Sequence, residues 1–266
     1  MEKHSNILRN EPNINRISFL GYPVDYVSFE DILKWIANCV ASRRSNTVAV
    51  LNANKLWLAR RDKRLSDFIH NAEMIIPEYA VVWGARLLSM NLNHIGGIML
   101  LQAFLPFAEK KRIRPYFLGA RAEVINKMIA KISIKYPLIE IAGFHHGYIS
   151  DADIKKKVIK DIENSNPAIL FIAMGSPKQE YLIDELKDTL NIPVLMGVGG
   201  SFDVLSGNKK DAPSWARSKG LEWFFRIIQE PKNIQYLKRY LITNTWFVWK
   251  VMKEKNRLNN CIRYDY

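Results

Sequence analysis

The chain has 266 residues, 48% of them hydrophobic and 24% charged, which is long enough to bury a full core and too apolar for a disordered protein. Its 39 basic against 26 acidic residues give a net charge of +13, a balance that calls for an acidic partner such as nucleic acid, anionic lipid or a phosphorylated ligand. The two cysteines, Cys39 and Cys261, have no CxxC or Cys/His spacing around them, so neither a disulfide framework nor a zinc site is indicated and a reducing compartment fits best.

The first 16 residues are polar and lack the apolar stretch of a signal peptide. No window reaches the roughly 18 uninterrupted apolar residues of a spanning helix. The expectation is a protein that is neither exported nor transmembrane. From about residue 17 to 205, apolar β-rich runs alternate with helix-like segments: TVAVLNA, the stretch from Arg60 to Asn71, MIIPE, then RPYFLG, LIEIAGFHHGY, PAILFIAMG and IPVLMGVGG. That alternation predicts an α/β fold, a Rossmann-like mixed or parallel sheet flanked by helices on both faces. Runs that end in Gly119-Ala120, Gly175-Ser176 and Gly199-Gly200 place the ligand site in the loops at the carboxyl ends of the strands.

After about Ser206 the pattern changes to a basic helical C-terminal appendage, in which Trp215, Trp223, Phe224, Phe225, Trp246, Phe247 and Trp249 stand among 13 basic and 5 acidic residues. The chain thus divides into a core, 1–205, and an appendage, 206–266. Aromatic rings beside Lys and Arg suit a membrane–water interface, with the rings at headgroup level and the cations on anionic lipid. A solvated helical face with its aromatics in the core has the same composition.

Three strings carry chemistry. GSPKQE, 175–180, turns from an apolar run into a helical pattern; a helix start there offers free N–H groups and a positive dipole end to an anion, with Lys178 and Gln179 as nucleotide contacts. The same string reads equally as an ordinary helix start. MGVGGSFDVLSG, 196–207, has glycines, Gly199 among them, that let backbone approach a ligand, and Asp203 as acceptor for ribose hydroxyls; it lacks the full GxGxxG spacing and reads also as a tight turn with a capping aspartate. GLEWFFRIIQEPKN, 220–233, begins a row of Arg226, Lys232, Lys238 and Arg239 at spacings that share a helical face and suit a diphosphate, although any one such cation more commonly faces solvent.

In this order, with FLGYPVD near the start, then VLNANK, VVWGARLL, the block from GSPKQE to GVGGSFDVLSG, Ala212-Pro213 and GLEWFFRIIQEP, the sequence resembles the WecG/TagA/CpsF family of glycosyltransferases over about residues 17–241. The resemblance implies an α/β core with a C-terminal appendage. It implies inverting transfer of an N-acetylhexosamine, uronic acid or hexose from a UDP donor to an undecaprenyl-diphosphate-linked acceptor, on the cytoplasmic face of the membrane and in cell-surface polysaccharide synthesis. No metal and no other cofactor is expected, and no dehydrogenase chemistry. By position, Tyr148 and Gln179 look like nucleotide contacts, Asp203 like a ribose or diphosphate contact, Asn52 like the asparagine near the sugar, and Arg226, Lys238 and Arg239 like appendage cations that close over a diphosphate.

The family's usual Pro-Asp-Gly is replaced here by Pro77-Glu78-Tyr79, so Glu78 stands where the proposed general base is an aspartate. The extra methylene moves the carboxylate by about 1 Å, enough to matter for catalytic geometry. Val50 replaces a common threonine, and Asp211 a common basic residue. These departures motivate a second reading, a catalytically impaired member that serves as a nucleotide-sugar-binding or scaffolding subunit. His145 and His146 lack a carboxylate or cysteine at metal-ligand spacing. Charge alone would also fit a nucleic-acid binder, but no such motif is present and no nucleic-acid partner is expected. Oligomeric state is left open, a homo-oligomer included.

Overall fold

The computed structural model describes residues 14–211, 213, 225 and 234–264. It opens on a hairpin, β1 (Asn15–Phe19) and β2 (Tyr22–Tyr26), antiparallel with Phe19 opposite Tyr22. The two turn residues, Leu20 and Gly21, both have positive φ, at 52° and 89°. Such a turn matches the twist of the strands it joins. This hairpin is absent from the sequence expectation, because its strands are short and Pro23 interrupts the β pattern.

The main sheet has six strands in the order β4-β3-β8-β7-β5-β6, and every neighbouring pair is parallel. They are β3 (Asn46–Leu51), β4 (Met74–Pro77), β5 (Pro115–Gly119), β6 (Gly143–His145), β7 (Ile169–Ala173) and β8 (Val194–Gly197). Parallel strands covered on both faces read as continuous apolar runs, as ILFIA of β7 does. Alternate residues of one strand then enter two different cores. Leu170 and Ile172 join one cluster, and Ile169, Phe171 and Ala173 the other.

The second face is covered by α1 (Phe29–Ser42), α5 (Gly97–Lys111), α6 (Ala122–Lys135) and α9 (Ser201–Ser206). The first carries α2 (Ala53–Ala59), α3 (Lys63–Asn71), α4 (Tyr79–Leu87), α7 (Ala152–Ser165) and α8 (Lys178–Leu186). Local signals start several of these helices: Ser28 and Asp31 form a reciprocal capping box on α1, and Asp62 and Asp151 cap α3 and α7. Cys39, on the buried face of α1, is a free thiol pushed up to about 12 by burial, so it is inert as a nucleophile.

The stretch LIEIAGFHHGY forms only the three-residue edge strand β6. Gly143 is needed there because a Cβ would lie 2.5 Å from the Tyr116 ring. The last element is α10 (Ile234–Tyr264). Its Phe247 and Val251 belong to the same buried cluster as Phe19, Val81 and Ala85. Trp246 meets Trp57 of α2 edge-on at 5.4 Å, and the Arg60 guanidinium lies 3.5 Å over the Trp57 ring and 5.2 Å from that of Trp246. The opposite side of α10 exposes Leu241, Ile242, Val248, Trp249 and Met252. No described helix is long and apolar enough to cross a membrane.

Candidate active site

A cavity of about 220 Å³ opens at the carboxyl ends of β4, β3, β8 and β7, with the start of α5 and one turn of α10 completing its wall. Open parallel sheets bind ligands at this rim, because the loops there converge and the helices that follow point their positive ends toward it.

Asn52, directly after β3, caps α2: its Oδ1 accepts from the Lys55 backbone N–H at 2.8 Å. With the oxygen committed, the amide nitrogen is turned outward and donates to Glu78 Oε2 at 3.0 Å. Glu78 follows β4 at the N-cap of α4, yet its side chain makes no capping bond. Its backbone is pinned instead, with N–H to Leu51 O at 2.9 Å. The carboxylate therefore faces the cavity, held by one amide donor. Tyr79 also lines the cavity, its ring edge-on to His94 at 5.6 Å.

Across the rim, Gly199 has a φ of +54° and lines the cavity with Gly200 and Ser201. Gln179 is 3% exposed and donates to Glu180 Oε1 at 2.8 Å, while its Oε1 accepts from Gly199 N–H at 3.0 Å. Glu180, itself buried, pairs with the buried Lys55 ammonium at 2.8 Å and also accepts from Ser176 Oγ at 3.0 Å. Burial opposes the ionisation of Glu180, but the Lys55 charge and the bonds from Lys55, Gln179 and Ser176 outweigh it and hold the carboxyl below the usual range.

Of the residues singled out in the sequence, Asn52, Glu78, Gln179, Gly199 and Arg239 meet at this cavity. Val50 lines it too, as a buried apolar patch. Tyr148 does not line it; this ring is 65% exposed in the loop after β6, at the far edge of the sheet. Lys178 is exposed at the start of α8, Asp203 sits half-buried on α9, and Lys238 is exposed on α10, all three outside the cavity wall. Arg226 lies outside the described residues. Sequence reading missed Lys55, Glu180 and the α10 residues Thr243 and Asn244, which line or support the site. A lysine directly before the apolar LWLA of α2 was the one available signal. No group of three or more His, Cys, Asp or Glu side chains able to hold a metal occurs among the described residues.

A parallel α/β sheet with a polar, carboxylate-bearing cavity at its carboxyl rim defines the class of the protein: an enzyme-like α/β fold with a cavity at four strand ends. The chain belongs to the glycosyl transferase WecG/TagA/CpsF family, whose pattern matches residues 17–261, and it is a glycosyltransferase. An N-acetylglucosaminyldiphosphoundecaprenol N-acetyl-beta-D-mannosaminyltransferase of Bacillus subtilis (strain 168) is 36% identical over 201 residues, covering 74% of this chain and 77% of the relative. A protein of the same name from Staphylococcus aureus (strain MW2) is 31% identical over 250 residues, 92% of this chain and 96% of the relative.

Proposed function

We propose that this glycosyltransferase moves a sugar from a UDP donor to an acceptor carried on undecaprenyl diphosphate, in a single displacement that inverts the anomeric carbon. The observation that carries the reading is the Asn52–Glu78 pair at the cavity wall. In this mechanism Glu78 takes the proton from the acceptor hydroxyl as that oxygen attacks the anomeric carbon, and Asn52 keeps the carboxylate oriented. Arg239, on the α10 side of the same cavity, meets the charge that develops on the departing UDP, with Lys238 and Arg226 as further candidates. The named relatives act on N-acetylglucosaminyl-diphosphoundecaprenol with an N-acetylmannosaminyl group, which supports a lipid diphosphate acceptor here. The donor sugar is an N-acetylhexosamine, a uronic acid or a hexose. Side-chain cations, rather than a bound metal, serve the leaving group, so EDTA is expected to leave turnover unchanged.

The same reading places the enzyme peripherally on an anionic membrane surface, through the exposed Leu241, Ile242, Val248, Trp249 and Met252 of α10 and the lysines beside them. The test is UDP release from a panel of UDP-sugars with a synthetic prenyl-diphosphate-linked acceptor. Glu78→Gln is expected to lower acceptor-dependent turnover by about 10²- to 10⁴-fold while UDP still binds. Full turnover in that variant would remove Glu78 as the base. Absence of turnover in the native chain across the panel, with UDP bound, would favour a binding or scaffolding subunit.

A further inference from the structure

The bonds around the cavity join into one chain. Glu78 follows β4, Asn52 and Lys55 follow β3, Glu180 and Gln179 follow β7, and Gly199 follows β8, and these four strands are neighbours in the sheet. Along the chain, Glu78 accepts from Asn52 and Asn52 accepts from the Lys55 backbone. The Lys55 ammonium pairs with Glu180, Glu180 accepts from Gln179, and Gln179 accepts from Gly199.

The middle of this chain decides which way a buried amide points. A glutamine side chain can offer its NH₂ or its oxygen to a given neighbour, and only the surrounding network selects between them. An ionised carboxylate can only accept. Glu180 therefore draws the Gln179 NH₂ toward itself, which leaves the Gln179 oxygen for the N–H of Gly199. Lys55 is what keeps a 1%-exposed Glu180 charged. The arrangement is tight on the other side as well, since a Cβ on Gly197 would lie 2.5 Å from Gln179 Nε2.

We propose that Lys55 and Glu180 are positioning residues for the nucleotide half of the site: acting through Gln179, they hold the Gly199 loop in the shape that receives the donor. The proposal rests on the UDP-donor reading given above for the ligand, but not for the geometry. With the charges removed, the Gln179 amide loses its orienting neighbour and the Gly199 N–H loses a fixed acceptor. Glu78 and the Asn52 cap, at the other end of the chain, keep their own bonds.

The test compares the native protein with the double variant Lys55→Met/Glu180→Met, which removes both charges together and so leaves no unpaired buried ion to unfold the protein. Two quantities are read. Hydrogen exchange at the Gly199 amide, without ligand, is expected to speed up by roughly 10-fold or more in the double variant, with exchange in β3 and β7 unchanged. UDP affinity by calorimetry is expected to fall roughly 10- to 100-fold, with the KM for the lipid-linked acceptor unchanged. In a Gln179→Leu background the same double exchange is expected to cost no further affinity, because its effect runs through Gln179. Unchanged Gly199 exchange in a folded double variant would overturn the proposal, and so would an additive loss in the Gln179→Leu background. Native protein that does not bind UDP, yet shows the change at Gly199, would sink the donor reading and leave the positioning role standing.

Discussion

Two carboxylates, Asp25 and Glu180, are buried against a cation, and they are partnered differently. Asp25 anchors the hairpin: its Oδ1 accepts from Arg16 Nε at 2.7 Å, and its Oδ2 from Arg16 Nη2 at 2.9 Å and from the Ile75 backbone N–H at 2.7 Å. Both oxygens are used, by a planar fork that fits the carboxylate and by a strand amide. Glu180 sits below the cavity and draws all its donors, Lys55, Gln179 and Ser176, to Oε1. Its Oε2, also buried, has no hydrogen-bond partner among the described residues. A saturated pair locks β1–β2 to β4, away from the cavity. The lopsided pair belongs to the loops of the site, where its donors have second tasks: the amide that meets Glu180 also holds Gly199, and the helix that carries Lys55 is capped by Asn52.

The largest expected effect comes from breaking the second pair on one side. Lys55→Met leaves Glu180 buried without its cation and should cost about 3–5 kcal/mol at neutral pH, read by denaturant unfolding. The pH dependence follows from the depressed folded value of Glu180. In the native protein the pair's contribution is complete above the unfolded value of about 4.5, and it is lost as pH falls from there through the folded value. In Lys55→Met the folded carboxyl has lost the partner that depressed it, so the gap between variant and native protein should narrow as pH is lowered toward 4.5. A gap that stayed constant over that range would mean that the ion pair contributes little.

Arg16→Met should cost less, about 1–3 kcal/mol, because Asp25 keeps the Ile75 N–H and the 38% exposure of the Arg16 side chain lets water reach the vacated place. If this loss exceeded that of Lys55→Met, the contrast between a saturated, water-accessible pair and a lopsided, dry one would fail. The smallest effect on stability, and the most specific to chemistry, is expected from Asn52→Asp. An aspartate can still cap α2, but it puts a second carboxylate about 3.0 Å from Glu78, where the amide now donates. The acid limb of the pH–rate profile should move to higher pH, with thermal stability near that of the native protein. An unmoved acid limb would separate Asn52 from the ionisation that controls turnover.

Much of the architecture was legible in the chain. Parallel strands covered on both faces must be apolar throughout, so ILFIA and VLMG announced themselves, and glycines at 175, 199 and 200 marked the ends where the cavity opens. The hairpin was not legible, since its turn depends on Leu20 adopting a positive φ that its identity does not announce. Nor was the shortness of β6, which reflects its place at the sheet edge and the Tyr116 ring against Gly143. Of the candidate residues, Glu78, Asn52, Gln179, Gly199 and Arg239, named from motifs or from position in the family, line the cavity. Tyr148, Lys178, Asp203 and Lys238, named by the same two routes, lie outside its wall.

Local pattern, read from the residues alone, therefore determined the α/β class, the five buried strands, the rim where the cavity opens and the basic, aromatic character of the last quarter. Burial and helix starts are properties of a residue and its near neighbours, which is why they can be read in one dimension. Tertiary structure alone decided that Lys55 meets Glu180 and that Phe247 and Val251 complete the core beneath α4. The first contact requires the chain after β7 to reach the chain after β3, which the strand order allows because a single strand, β8, separates them. Strand order is set by how the helices pack onto the two faces of the sheet, and no local sequence pattern encodes it.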